Sequence, residues 1–263
     1  MERAHRVGCL CPTPRPKKDR TITHRTAKAL TSLTAVLLIG GLAGCSAVNS
    51  AVADAVEAVQ EAGPSTGATS ESSRANGEAA AALEQLAVIP VKGRAPKTGY
   101  TREEFGPAWA DVDHNGCDTR NDILARDLEG ETFKPGTHNC IVLTGTLADK
   151  YTGTTISFVR GADTSSEVQI DHIIPLSLAW QTGAQQISDE QRRQFANDPL
   201  NLMAADGTAN MSKGDKDAAS WLPSNKAFRC EYVARQTAVK AKYKLWVTQP
   251  ERDAIAGILA TCK

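Results

Sequence analysis

The chain has 263 residues, with 30 Lys and Arg against 30 Asp and Glu and a formal net charge of zero. That length suffices for one or two domains. The balanced charge excludes a protein that holds nucleic acid through a large overall positive field, so any such binding must come from a local patch.

Residues 1–28 carry Arg3, Arg6, Arg15, Lys17, Lys18, Arg20, Arg25 and Lys28 against Glu2 and Asp19. An apolar run over 29–43 follows and ends in Leu42-Ala43-Gly44-Cys45. A basic start, a short apolar stretch and a small-residue cleavage site predict a signal peptide. The run is short for a bilayer-spanning helix, which needs about 20 residues. Leu-Ala-Gly-Cys resembles the lipobox of bacterial lipoproteins. The resemblance implies cleavage before Cys45 and a lipid on its thiol; a plain secretory signal is the alternative. The expected location is outside the cytoplasm, anchored to the membrane by lipid or released from it. Loss of residues 1–45, with eight basic and two acidic residues, leaves 22 basic against 28 acidic, a mildly acidic mature chain.

Of the seven cysteines, Cys9 and Cys11 leave with the signal and Cys45 is the expected lipid site. Cys117, Cys140, Cys230 and Cys262 remain. Four cysteines in an exported chain suggest two disulfides, with three possible connectivities. Sequence proximity favours Cys117 with Cys140 and Cys230 with Cys262. A zinc site is the competing reading, but no C-x-x-C pair is present.

Residues 46–62 have the spacing of a weak helix, and residues 63–77 almost lack apolar side chains, so the stretch 46–90 reads as a flexible tether. A short Ala-rich helix over 78–87 closes it. The folded domain, 91–263, is expected to begin near Val91. Thr119 to Leu128 has helical spacing, with Asp118 or Thr119 as N-cap. The segment 141–147 reads as a strand, Tyr151-Thr152-Gly153 as a turn and 155–159 as the return strand. Val168 to Ile173 is a further strand. Ser188 to Ala196 is a helix with a Ser188/Gln191 capping box. The segment 206–215 reads as a loop opening a helix, 225–246 is mainly helix, and Pro250 starts a last helix whose Ile255, Ile258 and Leu259 face inward. The pattern is that of an α+β domain.

Three pieces carry chemistry. Asp171-His172 ends a strand; Asn201-Leu202 follows the turn at Asn197-Asp198-Pro199; and Asn210 and Lys213 lie in the segment 206–215. Neighbouring side chains on a strand face opposite ways. Asp171 is thus free to hold a hard cation while His172 faces a substrate. Asn210 offers a second oxygen ligand, and oxygen ligands with room for water suit Mg²⁺ or Mn²⁺. A neutral imidazole takes a proton from water, and Lys213 offers a phosphate a point charge. Arg120, at a helix start, has either a phosphate or Asp122 and Asp127 to pair with. The stretch from Lys226 to Lys244 is basic and includes Tyr232 and Tyr243. It is either a phosphate-backbone contact or a solvated face.

The order D-H-I-I-P-L, N-x-x-x-N-L and D-x-x-x-N-x-x-K-G-D resembles an HNH endonuclease. It is most similar to the C-terminal domain of GmrSD-type restriction endonucleases, with W-A-D-V-D-x-N-G-C-D-T-R-N-D-I-L and W-L-P included in the likeness. The resemblance implies a ββα-metal core, two strands and a helix around one divalent ion. It further implies Asp171 as metal ligand, His172 as general base, Asn201 as the asparagine that orients the base strand, and Asn210 at the last motif position. The implied activity is metal-dependent hydrolysis of nucleic acid, chiefly DNA. No helix-turn-helix, zinc finger or long basic arm is visible in the sequence, so low sequence specificity is expected, and no protein partner is implied. The rival reading is a non-catalytic envelope lipoprotein that uses the same fold for binding.

Overall fold

The computed structural model describes residues 67–262. The signal segment, Cys9, Cys11, Cys45 and the weak helix of residues 46–62 lie outside the described residues.

The first element is α1, Gly67–Val88. A 3-10 turn, Arg102–Phe105, precedes α2, Thr119–Asp127. Asp118 caps α2 by accepting the backbone N–H of Asn121, and one satisfied N-terminal donor is what such a cap supplies. The chain passes without a turn from α2 into β1, Leu128–Phe133. Strands β2, Val142–Ala148, and β3, Thr155–Val159, complete an antiparallel sheet of order β1-β2-β3. The disulfide Cys117–Cys140 ties the entry of α2 to the segment before β2.

A second, two-stranded sheet pairs β4, Val168–His172, with β5, Leu202–Asp206, antiparallel, placing Asp171 opposite Met203 and His172 opposite Leu202. Between these strands run α3, Leu176–Gln181, and α4, Asp189–Ala196. The Ser188/Gln191 capping box is formed in full. Directly after β5 comes α5, Gly207–Lys213, capped by Asp206. Two longer helices close the chain: α6, Arg229–Lys242, and α7, Gln249–Leu259, with Pro250 in its first turn. The disulfide Cys230–Cys262 joins their outer ends. Both disulfides are those that sequence proximity favours.

The β4–β5 ribbon is buried on both faces. Val168, Ile170, Leu202 and Ala204 pack with Ile123 and Leu124 of α2 and with Leu147 and Phe158 of the larger sheet. Ile173, Met203 and Ala205 face the opposite way, toward Tyr151 and the helices α1, α6 and α7. A strand buried on both sides needs apolar residues at nearly every position, and β5 reads Leu-Met-Ala-Ala-Asp. A third cluster, built on Phe105, Ile174, Leu178, Phe195 and Tyr243, supports the connection between the two strands.

Two expectations are corrected. Residues 67–88 are helical, and Ala79, Ala82 and Leu86 belong to the same core as Tyr232 and Ile255. The stretch from about residue 78 is therefore part of the packed domain rather than of a tether. The basic stretch 226–244 is not a free cationic face. Lys240 is fully buried against Glu251, Lys242 pairs with Asp198 at 2.6 Å, Arg229 donates to the Pro223 carbonyl and Arg235 to the carbonyls of Leu200 and Leu202. Tyr232 is fully buried and Tyr243 nearly so.

Candidate active site

Alternation along β4 turns Gln169 and Asp171 to one face and Ile170 and His172 to the other, yet Asp171 and His172 line one cavity. Its volume is about 450 Å³, and its wall also includes Arg102, Trp109, Arg120, Gln169, Ser177, Asn210 and Asp215. A smaller cavity of about 250 Å³ reaches His172 from the side of Phe105 and Asn197.

His172 is 8% exposed. Its Nε2 lies 2.8 Å from the Ala196 carbonyl oxygen. A carbonyl only accepts, so Nε2 carries the proton and Nδ1 holds the free lone pair. Trp109 stacks on the ring, 6.0 Å between centroids and 12° between planes. Burial lowers the imidazole pKa from 6.5 to about 4, against the raising influence of the Ala196 hydrogen bond and Asp171. The ring is therefore neutral at pH 7.

Asn201 is fully buried. Its Oδ1 accepts the Ile174 N–H at 2.8 Å, and its Nδ2 approaches the carbonyls of Ile174 and Phe195, each at 3.4 Å. Its own carbonyl accepts the Ile173 N–H at 2.7 Å. One side chain thus ties the chain just past His172 to the end of α4, whose Ala196 carbonyl holds the imidazole.

Asp171 is 6% exposed and heavily partnered. The Tyr151 hydroxyl donates to Oδ2, and the Lys213 ammonium lies 3.1 Å from Oδ1 and 3.0 Å from Oδ2. Lys213 also donates to the His172 carbonyl at 2.8 Å. Its side chain is fully buried, which overturns its expected place at a substrate phosphate. The ammonium compensates a buried carboxylate instead, as an ion in a dry interior must be paired. Burial pulls the Lys213 pKa down while Asp171 pushes it up, and burial pushes the Tyr151 hydroxyl well up.

Asn210, half-buried on α5, donates from Nδ2 to Gln169 Oε1 at 2.9 Å. That contact orients the amide and leaves Oδ1 without a protein partner among the described residues. Arg120 is half-buried with no hydrogen bond or ion pair among the described residues, and burial together with Arg160 lowers its pKa. It pairs with neither Asp122 nor Asp127. The helix that carries Asn210 and Lys213 depends on Gly207. A Cβ there would meet the Ser166 carbonyl oxygen at 2.1 Å, closer than any real contact, so only glycine lets β5 turn directly into α5 at this point.

A divalent ion fits this donor set. A carboxylate has about four acceptor sites, of which Tyr151 and Lys213 leave at least one on Asp171, and the Asn210 oxygen is unclaimed. Among the described residues no three His, Cys, Asp or Glu side chains cluster as ligands, so water would fill most of the coordination shell. Hard oxygen ligands with retained water are what Mg²⁺ and similar ions take.

Arg102, Trp109, Tyr151 and Gln169 at this site escaped the sequence reading. Gln169 was within its reach, because it stands two residues before Asp171 and so shares its strand face. Arg102 opens a single 3-10 turn and Trp109 lies in an irregular segment, and neither has a period that points to a partner.

Residues 118–258 match the family model described as the C-terminal domain of GmrSD restriction endonucleases. An uncharacterized secreted protein of Arthroderma benhamiae is 34% identical over 186 residues, covering 70% of this chain and 86% of that one. No solved structure matches the chain. The family match covers more than half the chain, and within it stand Arg120, Asp171, His172, Asn201 and Asn210. The chain belongs to the family of GmrSD restriction endonuclease C-terminal domains, which marks it as nuclease-related.

Proposed function

We propose that the protein is an exported, metal-dependent endonuclease of the HNH type, hydrolysing phosphodiester bonds of nucleic acid. The observation that carries this reading is one cavity lined by a neutral imidazole, a carboxylate, an unclaimed amide oxygen and two guanidinium groups. The β4–β5 ribbon followed directly by α5 supports the ββα assignment.

His172 Nδ1, the nitrogen without a proton, accepts a proton from an attacking water. Asn201 holds the strand end and the Ala196 carbonyl in the arrangement that keeps Nδ1 bare. Asp171 and Asn210 would hold Mg²⁺ or Mn²⁺, which when bound stabilises negative charge on the phosphate and the leaving oxygen. Arg120 and Arg102 draw the phosphate to the cavity wall. DNA is the assigned substrate, with low sequence specificity. The predicted signal segment, the secreted relative and two disulfides support a location outside the cytoplasm, with a lipid at Cys45 as the assigned anchor.

One observation favours a non-catalytic binding role: Asp171 is already occupied by Lys213 and Tyr151. Plasmid cleavage separates the readings. The nuclease reading expects the mature chain with Mg²⁺ or Mn²⁺ to cut, and EDTA or His172→Ala to abolish cutting. The binding reading expects plasmid to survive alike with wild type and variant.

A further inference from the structure

Ahead of α2 the chain reads Asp111-Val-Asp113-His-Asn115-Gly116, and Asp122 follows six residues later. Counted from Asp111, oxygen-bearing side chains fall at positions 1, 3, 5 and 12, with glycine at 6. That is the ligand spacing of the twelve-residue calcium loop, in which position 7 adds a backbone carbonyl and a glutamate usually fills position 12. Gly116 has φ 90°, the sharp turn that position 6 needs. Helix α2 begins at Thr119, position 9.

The three carboxylates do not converge as ligands in this structure; the contacts around Asp111 are what point to a cation. Asp111 turns its carboxylate into the loop, Oδ2 accepting the Gly116 N–H at 3.0 Å, while its Oδ1 is buried with no hydrogen-bond partner. Leaving a buried carboxylate oxygen unsatisfied is costly, and such orphans are rare. Asp111, Asp113, Asp118 and Asp122 have no ion-pair partner among the described residues. The Asn115 Nδ2 lies between two of them, 3.2 Å from Asp113 Oδ2 and 3.1 Å from Asp122 Oδ1. This amide donor is what a neutral protein group offers where positive charge is wanted.

We propose that residues 111–122 bind one calcium ion through the side chains of Asp111, Asp113, Asn115 and Asp122 and the carbonyl of Cys117. Loading turns the Asn115 amide away from Asp113 and Asp122, so that the oxygens converge. Calcium suits the site better than magnesium because it tolerates an irregular shell of six to eight oxygens, whereas magnesium demands a tight octahedron. The loop runs between Trp109, stacked on His172, and Arg120, on the cavity wall. The ion would therefore fix two walls of the cavity in a calcium-rich exterior. This inference stands whether or not the chain is a nuclease.

The test is calorimetric titration of calcium into the metal-stripped mature chain, repeated with terbium, whose emission Trp109 is placed to sensitise. The expected result is a saturable calcium site with a dissociation constant of about 10⁻⁴–10⁻³ M, as in exterior calcium modules, which persists when magnesium occupies the cavity and which magnesium at the same concentration does not fill. Asp113→Asn weakens it at least tenfold. Asp122→Glu, which restores the usual two-oxygen ligand and leaves the loop's charge unchanged, tightens it. Asp171→Asn leaves it as in the wild type, which separates this site from the cavity. No saturable calcium binding, or binding lost in Asp171→Asn and kept in Asp113→Asn, overturns the proposal.

Discussion

His172 and Lys213 show what burial does to single charged groups. The imidazole has a pKa of about 4 in the folded chain against 6.5 when exposed. Between those values the unfolded chain binds a proton that the folded chain refuses. Stability therefore rises with pH from about 4 to 6.5 and gains nothing further from His172 above that, a difference of about 3 kcal/mol. Urea titrations in EDTA across that window should show the slope, and His172→Gln should flatten it; an equal slope in the variant assigns the effect to other groups. For Lys213, replacement by Met strands Asp171 as a buried, uncompensated carboxylate, at a cost of about 3–5 kcal/mol. A denaturation midpoint unchanged by Lys213→Met would mean that the pair is not what neutralises Asp171. The sequence displayed Lys213 as a lysine at a helix end, the ordinary place for a solvated cation. Only the fold brings it to β4, 42 residues earlier in the chain, so no local pattern announced its burial. The opposite strand faces of Asp171 and His172 were legible from alternation, but that both line one cavity was not.

Among the elements, those with chemical punctuation were readable and those without it were not. Asp118, the Ser188/Gln191 box and the Thr248–Pro250 start marked three helices correctly, because a cap is a local hydrogen bond written in adjacent residues. The reading missed β1, since Leu128–Phe133 follows α2 without a breaker and carries Glu129 and Glu131 on a half-exposed edge. It also began the domain too late, because α1 is rich in alanine and polar residues and its membership rests on Ala79, Ala82 and Leu86 meeting α6 and α7. Leu86→Ala should cost about 2–5 kcal/mol if α1 is core; a loss within about 0.5 kcal/mol, as for a surface change, would return α1 to the tether. Gly207→Ala forces the Ser166 carbonyl or α5 to move, and overpacking of this kind costs about 1–3 kcal/mol. Because α5 carries Asn210 and Lys213, that substitution should lower activity more than Leu86→Ala does at equal residual stability; equal losses would show that α5 placement is not what Gly207 protects.

On the scale of the whole molecule, residues 46–263 are mildly acidic while the cavity presents Arg102 and Arg120, so positive charge is local rather than global. Substrate capture should then rest on few phosphate contacts and show a shallow salt dependence. Arg120→Ala should weaken binding across sequences alike and reduce the salt slope by about one contact; an unchanged slope would remove Arg120 from the phosphate path. Two disulfides and a secreted relative fit a chain that works beyond the cytoplasm, where the core is stapled at Cys117–Cys140 and Cys230–Cys262. The central claim is that His172, in a cavity able to hold a divalent ion, cuts nucleic acid. Plasmid digestion by the purified mature chain tests it most directly. The account predicts cleavage with Mg²⁺ or Mn²⁺ that disappears in EDTA and in a folded His172→Ala variant. Intact plasmid with wild type under every divalent ion, or equal cleavage by the variant, would contradict it.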